Sequence, residues 1–190
     1  MTGNDLQETD PEPAPATGST WKKVISEWIK TILLALVLVL TIRTFVVEAY
    51  VIKGSSMEPT LHDEERLLIS KFPEAWSPIE RGDIVIFSHP HQPGKRLIKR
   101  VVGLPGEEVE IIGGRVYING EALAEPYLAE SGTSSHEWPS VVPEGHYFVL
   151  GDHRDVSNDS RNPAIGFVSA AQVVGKAVFL FYPFKRLKIL

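Results

Sequence analysis

The chain has 190 residues, which suits one main domain plus whatever its ends carry, and 43% of them are hydrophobic, enough for a packed core. A net charge of −5 gives no general pull toward nucleic acid, so nucleic acid is not expected among its partners. The absence of cysteine excludes disulfides, thiol nucleophiles and zinc–thiolate sites together.

Residues 1–20 are rich in Pro, Thr, Gly and acids. Such a segment buries too little apolar surface to offset its ordering entropy, which predicts a disordered tail on the cytoplasmic side. Thr31 to Ile42 is charge-free and almost wholly aliphatic, and the apolar stretch extends from Ile29 to Val47 with Lys30 and Arg43 near its ends. Nineteen residues at ~1.5 Å each give roughly 28 Å, close to the hydrocarbon thickness of a bilayer. Lys30 and Arg43 can reach toward headgroups, and Trp21 and Trp28 suit an interface. A cleaved leader and a buried core helix compete with a retained anchor, and the expectation is the anchor, over 21–47. Lys22, Lys23 and Lys30 favour an inside N-terminus, with the remainder, 48–190, on the outer side.

Beyond Val47 the pattern becomes strand-like. Leu67–Ile69, Ile84–Phe87, Val109–Ile112, Val116–Ile118, Tyr147–Leu150 and Val178–Tyr182 are short β-branched or aromatic runs punctuated by turn residues. Gly113-Gly114 and Asn119-Gly120 read as two-residue hairpin turns, so Glu108 to Leu123 predicts a three-stranded meander. Leu123 to Pro143 reads as an irregular excursion, and only Ser169 to Val174 hints at a further helix. The class is mainly β.

Three segments carry chemistry. Ser56 stands in the polar turn Gly54-Ser55-Ser56-Met57-Glu58-Pro59-Thr60-Leu61, after a strand-like run from Val46 to Ile52. Alone it would be a turn serine bonding its own backbone. Lys99 lies in Leu97-Ile98-Lys99-Arg100-Val101-Val102-Gly103-Leu104-Pro105-Gly106. The plainer reading makes Lys95, Arg96, Lys99 and Arg100 a solvated basic edge. The functional reading needs Lys99 stripped of water while its neighbours reach it. A desolvated lysine sheds its proton more easily and can then take one from serine. Gly151 to Arg161 is a dense polar loop in which Ser157 would hydrogen-bond the base lysine, with Asp159 and Arg161 holding the loop. His89-Pro90-His91 is the only close histidine pair, and no metal or other cofactor is expected.

These segments together resemble bacterial type I signal peptidases. Gly54 to Leu61 is similar to the family's nucleophile motif, Arg81-Gly82-Asp83-Ile84-Val85-Ile86-Phe87 to its structural strand, Lys99 to Glu107 to its lysine motif, and Gly151 to Arg161 to its acidic-arginine motif. The four stand in the family's order. The resemblance implies an antiparallel β catalytic domain outside the cytoplasmic membrane, tethered by one N-terminal helix. It also implies a Ser–Lys endopeptidase cutting after small residues of the Ala-x-Ala type, with the bilayer and the signal peptides of exported preproteins as partners. It makes Ser56 the nucleophile, Lys99 the general base, Ser157 its orienting group, and Asp159 and Arg161 supports. Some members carry a serine two positions before the nucleophile; here it is Gly54, so the oxyanion would rest on backbone N–H groups, chiefly that of Ser56. His153 stands where asparagine is usual. The spacing between Lys99 and Gly151 resembles the compact members.

Overall fold

The computed structural model describes residues 20–45, 47–71, 78–128 and 140–190, with the side chains of residue 20 and residues 41–45 left aside. The tail expected over residues 1–20 lies outside these but for its last residue. In chain order the elements are α1 (Thr20–Phe45), β1 (Val47–Val51), β2 (Arg66–Ser70), β3 (Ile84–Ser88), β4 (Arg96–Gly103), β5 (Glu108–Ile112), β6 (Arg115–Ile118) and β7 (Glu121–Ala122). β8 (Ser140–Val141), β9 (His146–Leu150), β10 (Val168–Ser169), β11 (Val173–Tyr182) and β12 (Lys188–Ile189) follow.

The chain divides into two units, 1–41 and 42–190. Helix α1 runs 26 residues; four of its five charged residues, Lys22, Lys23, Glu27 and Lys30, crowd its first three turns, where Lys30 donates to Glu27 at 2.9 Å, and the fifth, Arg43, stands near its other end. Among the described residues, no helix is long and apolar enough to cross a membrane. This overturns the single-pass anchor expected over 21–47 and the membrane localisation that rested on it. The physical reason lies in the charge-free run: Thr31 to Ile42 is 12 residues, about 18 Å of helix against ~30 Å of hydrocarbon.

The second unit is the mainly β structure that the sequence pattern predicts. One antiparallel sheet has the order β1-β2-β11-β3-β4-β9-β10, with β12 on β11; a second has the order β7-β6-β5-β8. The smaller sheet is the meander read from two turns. Asn119 and Gly120 have φ of 51° and 79°, and Gly113 and Gly114 57° and 79°, the paired positive values that tight hairpin loops require. Alternation puts Val109, Ile111, Val116 and Ile118 on one face, where they bury against Val102, Phe148 and Leu150 of the larger sheet. A second cluster, including Ile52, Met57, Leu61, Leu67 and Ile98, fills the space beneath the turn after β1. The hinted helix at 169–174 is a single 3-10 turn, Ala170–Gln172, because the chain re-enters the sheet at Val173.

Candidate active site

Ser56 sits between two apolar anchors. Ile52 before it and Met57 after it are almost wholly buried, as is Leu61. Ile52 exchanges backbone hydrogen bonds with Glu65 and Glu64, which ends β1 and starts the turn. Gly54 takes φ +90°, a conformation that side-chain-bearing residues adopt only with strain, and its N–H donates to Asp63 Oδ1 at 2.7 Å. This backbone conformation explains glycine at the position. The amides of Glu58 and Leu61 close the turn onto Ser55 and Met57.

Lys99 comes from β4, whose first half pairs with β3 in a register that sets Lys99 opposite Val85. The side chain is 3% exposed, and its Nζ donates to Ser56 Oγ at 2.7 Å and to Ile98 O at 2.7 Å. Burial drives its pKa down from 10.5 to about 8; Asp159 and Asp152 pull it up, and Arg161 pushes it down again.

The loop after β9 surrounds this pair. Asp159, 1% exposed, accepts from Gly151 N–H at 3.0 Å and from Arg161 Nε at 2.8 Å and Nη2 at 2.9 Å. Arg161 Nη2 also reaches Arg154 O at 2.6 Å. The backbone N–H of His153 donates to Ser56 O at 3.1 Å, which ties the loop to the nucleophile turn. Gly151 is required by close approach: a Cβ there would lie 2.1 Å from Ser157 Oγ and 2.5 Å from Ser56 O.

Of the residues singled out by sequence, Ser56 and Lys99 meet directly, and Asp159 pairs with Arg161. Ser157 lies in the same loop but does not bond Lys99. Its Oγ is buried without a hydrogen-bond partner among the described residues, as is His153 Nδ1. The basic run splits: Lys95 and Arg96 are exposed, as a solvated edge would be, while Lys99 and Arg100 are buried. Arg100 is 8% exposed and grips Asp152 through two hydrogen bonds, at 2.8 and 2.6 Å. It also donates to Gly82 O and Thr60 Oγ1, and lies 4.0 Å over the Tyr127 ring.

Sequence reasoning missed Glu125 and Tyr127. Both sit in the stretch read as irregular, yet Glu125 forms a buried two-armed pair with Arg154, one arm being Nη1 to Oε2 at 3.2 Å. Nothing in their local pattern marks them, since their partners lie far along the chain. Among the described residues, no group of three His, Asp or Glu side chains is placed to hold a metal ion.

A β domain that buries a lysine against a serine hydroxyl falls in the class of serine hydrolases. The comparisons with known proteins go further. A family model described as "Signal peptidase, peptidase S26" matches residues 25–182. The chain is 40% identical to a signal peptidase I of Bacillus licheniformis over 88% of this chain and 94% of the relative. It is 41% identical to a signal peptidase I of Leptolyngbya laminosa over 95% of this chain and 91% of the relative. A crystal structure of a signal peptidase I from Enterococcus faecalis V583 matches at 40% identity and a TM-score of 0.47, covering 53% of this chain and 97% of that one. The chain belongs to the signal peptidase I family, and is a serine-peptidase-type hydrolase.

Proposed function

We propose that this chain is a serine endopeptidase that removes signal peptides from exported preproteins, cutting after small residues in Ala-x-Ala sites by a Ser56–Lys99 dyad. The observation that carries the reading is the 2.7 Å hydrogen bond between Lys99 Nζ and Ser56 Oγ, made by a lysine that is 3% exposed and held near pKa 8. Neutral Lys99 takes the Ser56 proton as Oγ bonds the scissile carbonyl carbon. The backbone N–H of Ser56 holds the oxyanion. Collapse breaks the C–N bond, and the leaving amine takes the proton from Lys99. Water, deprotonated by Lys99, then splits the acyl ester and restores Ser56.

Asp159 and Arg161 keep the loop against the nucleophile turn, and a small adjustment of Ser157 would let its idle hydroxyl orient Lys99. The substrate enters as an extended strand. Among the described residues β1 pairs only with β2, and β4 from Arg96 to Lys99 pairs only with β3, so two strand edges free of any described partner flank the dyad.

The test is cleavage of a precursor carrying an Ala-x-Ala site by purified wild type, Ser56→Ala, Lys99→Ala and Lys99→Arg. Only wild type should cut. Substantial activity in Ser56→Ala or in either lysine variant would sink the dyad.

A further inference from the structure

Beside the dyad, the two free edges are joined by a second polar link. Glu48 on β1 accepts from Arg96 Nη1 on β4 at 2.8 Å, and its other oxygen pairs with Lys71 Nζ at 2.5 Å. β1 and β4 are not neighbours: β2, β11 and β3 stand between them in the sheet. The sheet therefore curls until its first strand faces the open half of β4, and two bridges cross that seam. One is Ser56–Lys99; the other is Glu48–Arg96. On β4 they are three residues apart, roughly 10 Å at ~3.3 Å per residue. A strand lodged between two strands sets them about 10 Å apart, a width that a glutamate and an arginine can span together.

We propose that Glu48, Arg96 and Lys71 form a charge filter across the substrate groove, reading the side chain that lies three residues from the one whose carbonyl is cut. This rests on the strand-addition reading above. One carboxylate and two cations leave the cluster one positive charge in excess. The pair is partly exposed, with Arg96 at 38% and Glu48 at 31% of side-chain area, so a substrate side chain can displace one arm without stripping a buried charge. An acidic residue at that level pairs with the released cation. A lysine there meets Arg96 and Lys71 and must compete with both for Glu48. Glu48 is held as a carboxylate, its pKa lowered by its hydrogen bonds to Lys71 and Arg96.

The test uses precursor peptides that differ only by Glu or Lys at the third residue before, or the third after, the residue contributing the scissile carbonyl. The readout is the kcat/KM ratio, Glu over Lys, on one enzyme sample, so the folded fraction cancels. Wild type should favour Glu about two- to fivefold at low salt, the range of partly exposed ion pairs, and lose most of the preference in 0.5 M NaCl. Arg96→Gln neutralises the cluster and should bring the ratio toward one. Glu48→Gln adds to its positive excess and should raise the ratio. A shift in opposite directions, at either position, supports the filter; which position responds reads the direction of the bound strand. A ratio that stays flat, or moves the same way in both variants, overturns it while leaving the dyad intact. Failure of wild type to cut any of the peptides overturns the dyad reading and this one together.

Discussion

Lys99→Met should yield a protein that is inactive yet more stable at neutral pH. The side chain is 3% exposed, and burial lowers its pKa from 10.5 to about 8. At ~1.36 kcal/mol for each pH unit, keeping the lysine charged in the folded state at pH 7 costs about 3 kcal/mol. Methionine has similar length and no charge. Against the gain stand the lost hydrogen bonds to Ser56 Oγ and Ile98 O, about 1 kcal/mol each, of which the serine recovers part through water. The net expectation is ~1–2 kcal/mol of added stability at pH 7. Its pH dependence is the sharper signature. Below pH 8 both folded and unfolded lysine carry the proton, and wild type bears the full cost. Between pH 8 and 10.5 the folded state sheds its proton while the unfolded chain keeps it, so wild-type stability rises with pH and the advantage of methionine fades. Urea unfolding of both proteins at pH 6.5, 8.5 and 10, at fixed ionic strength, reads this directly. A variant less stable than wild type at pH 6.5, or a difference that does not change with pH, would refute the claim that Lys99 is a strained, desolvated base.

Activity should follow the same group. kcat/KM should rise about tenfold per pH unit below 8 and level off above it, since only neutral Lys99 accepts the Ser56 proton; a flat profile from pH 6 to 9 speaks against a lysine base. Gly151→Ala drives a methyl group into Ser157 and the Ser56 carbonyl. It should abolish cleavage and lower the thermal midpoint, at ~1–3 kcal/mol for overpacking, whereas retained activity would show that the loop and the nucleophile turn are not in register as described. Glu125→Gln leaves the Arg154 guanidinium, 4% exposed, without its carboxylate. The expected loss is ~3–5 kcal/mol in urea unfolding, largely recovered by Arg154→Met in the same chain.

The turn around Ser56 could be read from sequence because its neighbours set its surroundings, whereas the pairing of Ser56 with Lys99 was expected from four motifs in order rather than from either segment alone. Ser56 is bracketed by Ile52, Met57 and Leu61, all of which turn inward. The β5–β7 meander was equally legible, since its turns and alternation are local. What failed was longer in range. Lys99 and Arg100 are successive cations that both end up buried, although period two sends them to opposite faces of β4, because one side is covered by Ser56 and the other by Asp152, 52 residues away. The Glu125–Arg154 pair joins a segment with no pattern of its own to the polar loop. The expected Ser157–Lys99 bond is not formed: Lys99 Nζ donates to Ser56 and Ile98, and Ser157 Oγ is buried without a hydrogen-bond partner among the described residues. The anchor expected over 21–47 does not hold because its uninterrupted apolar run is confined between Lys30 and Arg43.

The buried charges around Lys99 explain how a base at low pKa survives next to two carboxylates. Asp159 and Asp152 alone would each stabilise the ammonium form and return Lys99 toward its ordinary value. Each is held by an arginine, Arg161 on Asp159 and Arg100 on Asp152; Arg161 offsets part of the aspartates' pull, and burial, the largest influence, decides the outcome. Arg161 therefore lowers the Lys99 pKa as well as bonding Asp159 within the loop. Arg161→Gln tests this. Asp159 keeps its charge but loses its counter-ion, the protonated form of Lys99 gains, and the midpoint of the kcat/KM profile should move to higher pH. Arg161→Lys keeps the charge with poorer geometry, and should hold the midpoint near that of wild type even where total activity falls. A purely structural Arg161 would lower activity in both variants at every pH without moving either midpoint. A midpoint that stays put or falls in folded Arg161→Gln would refute the electrostatic role.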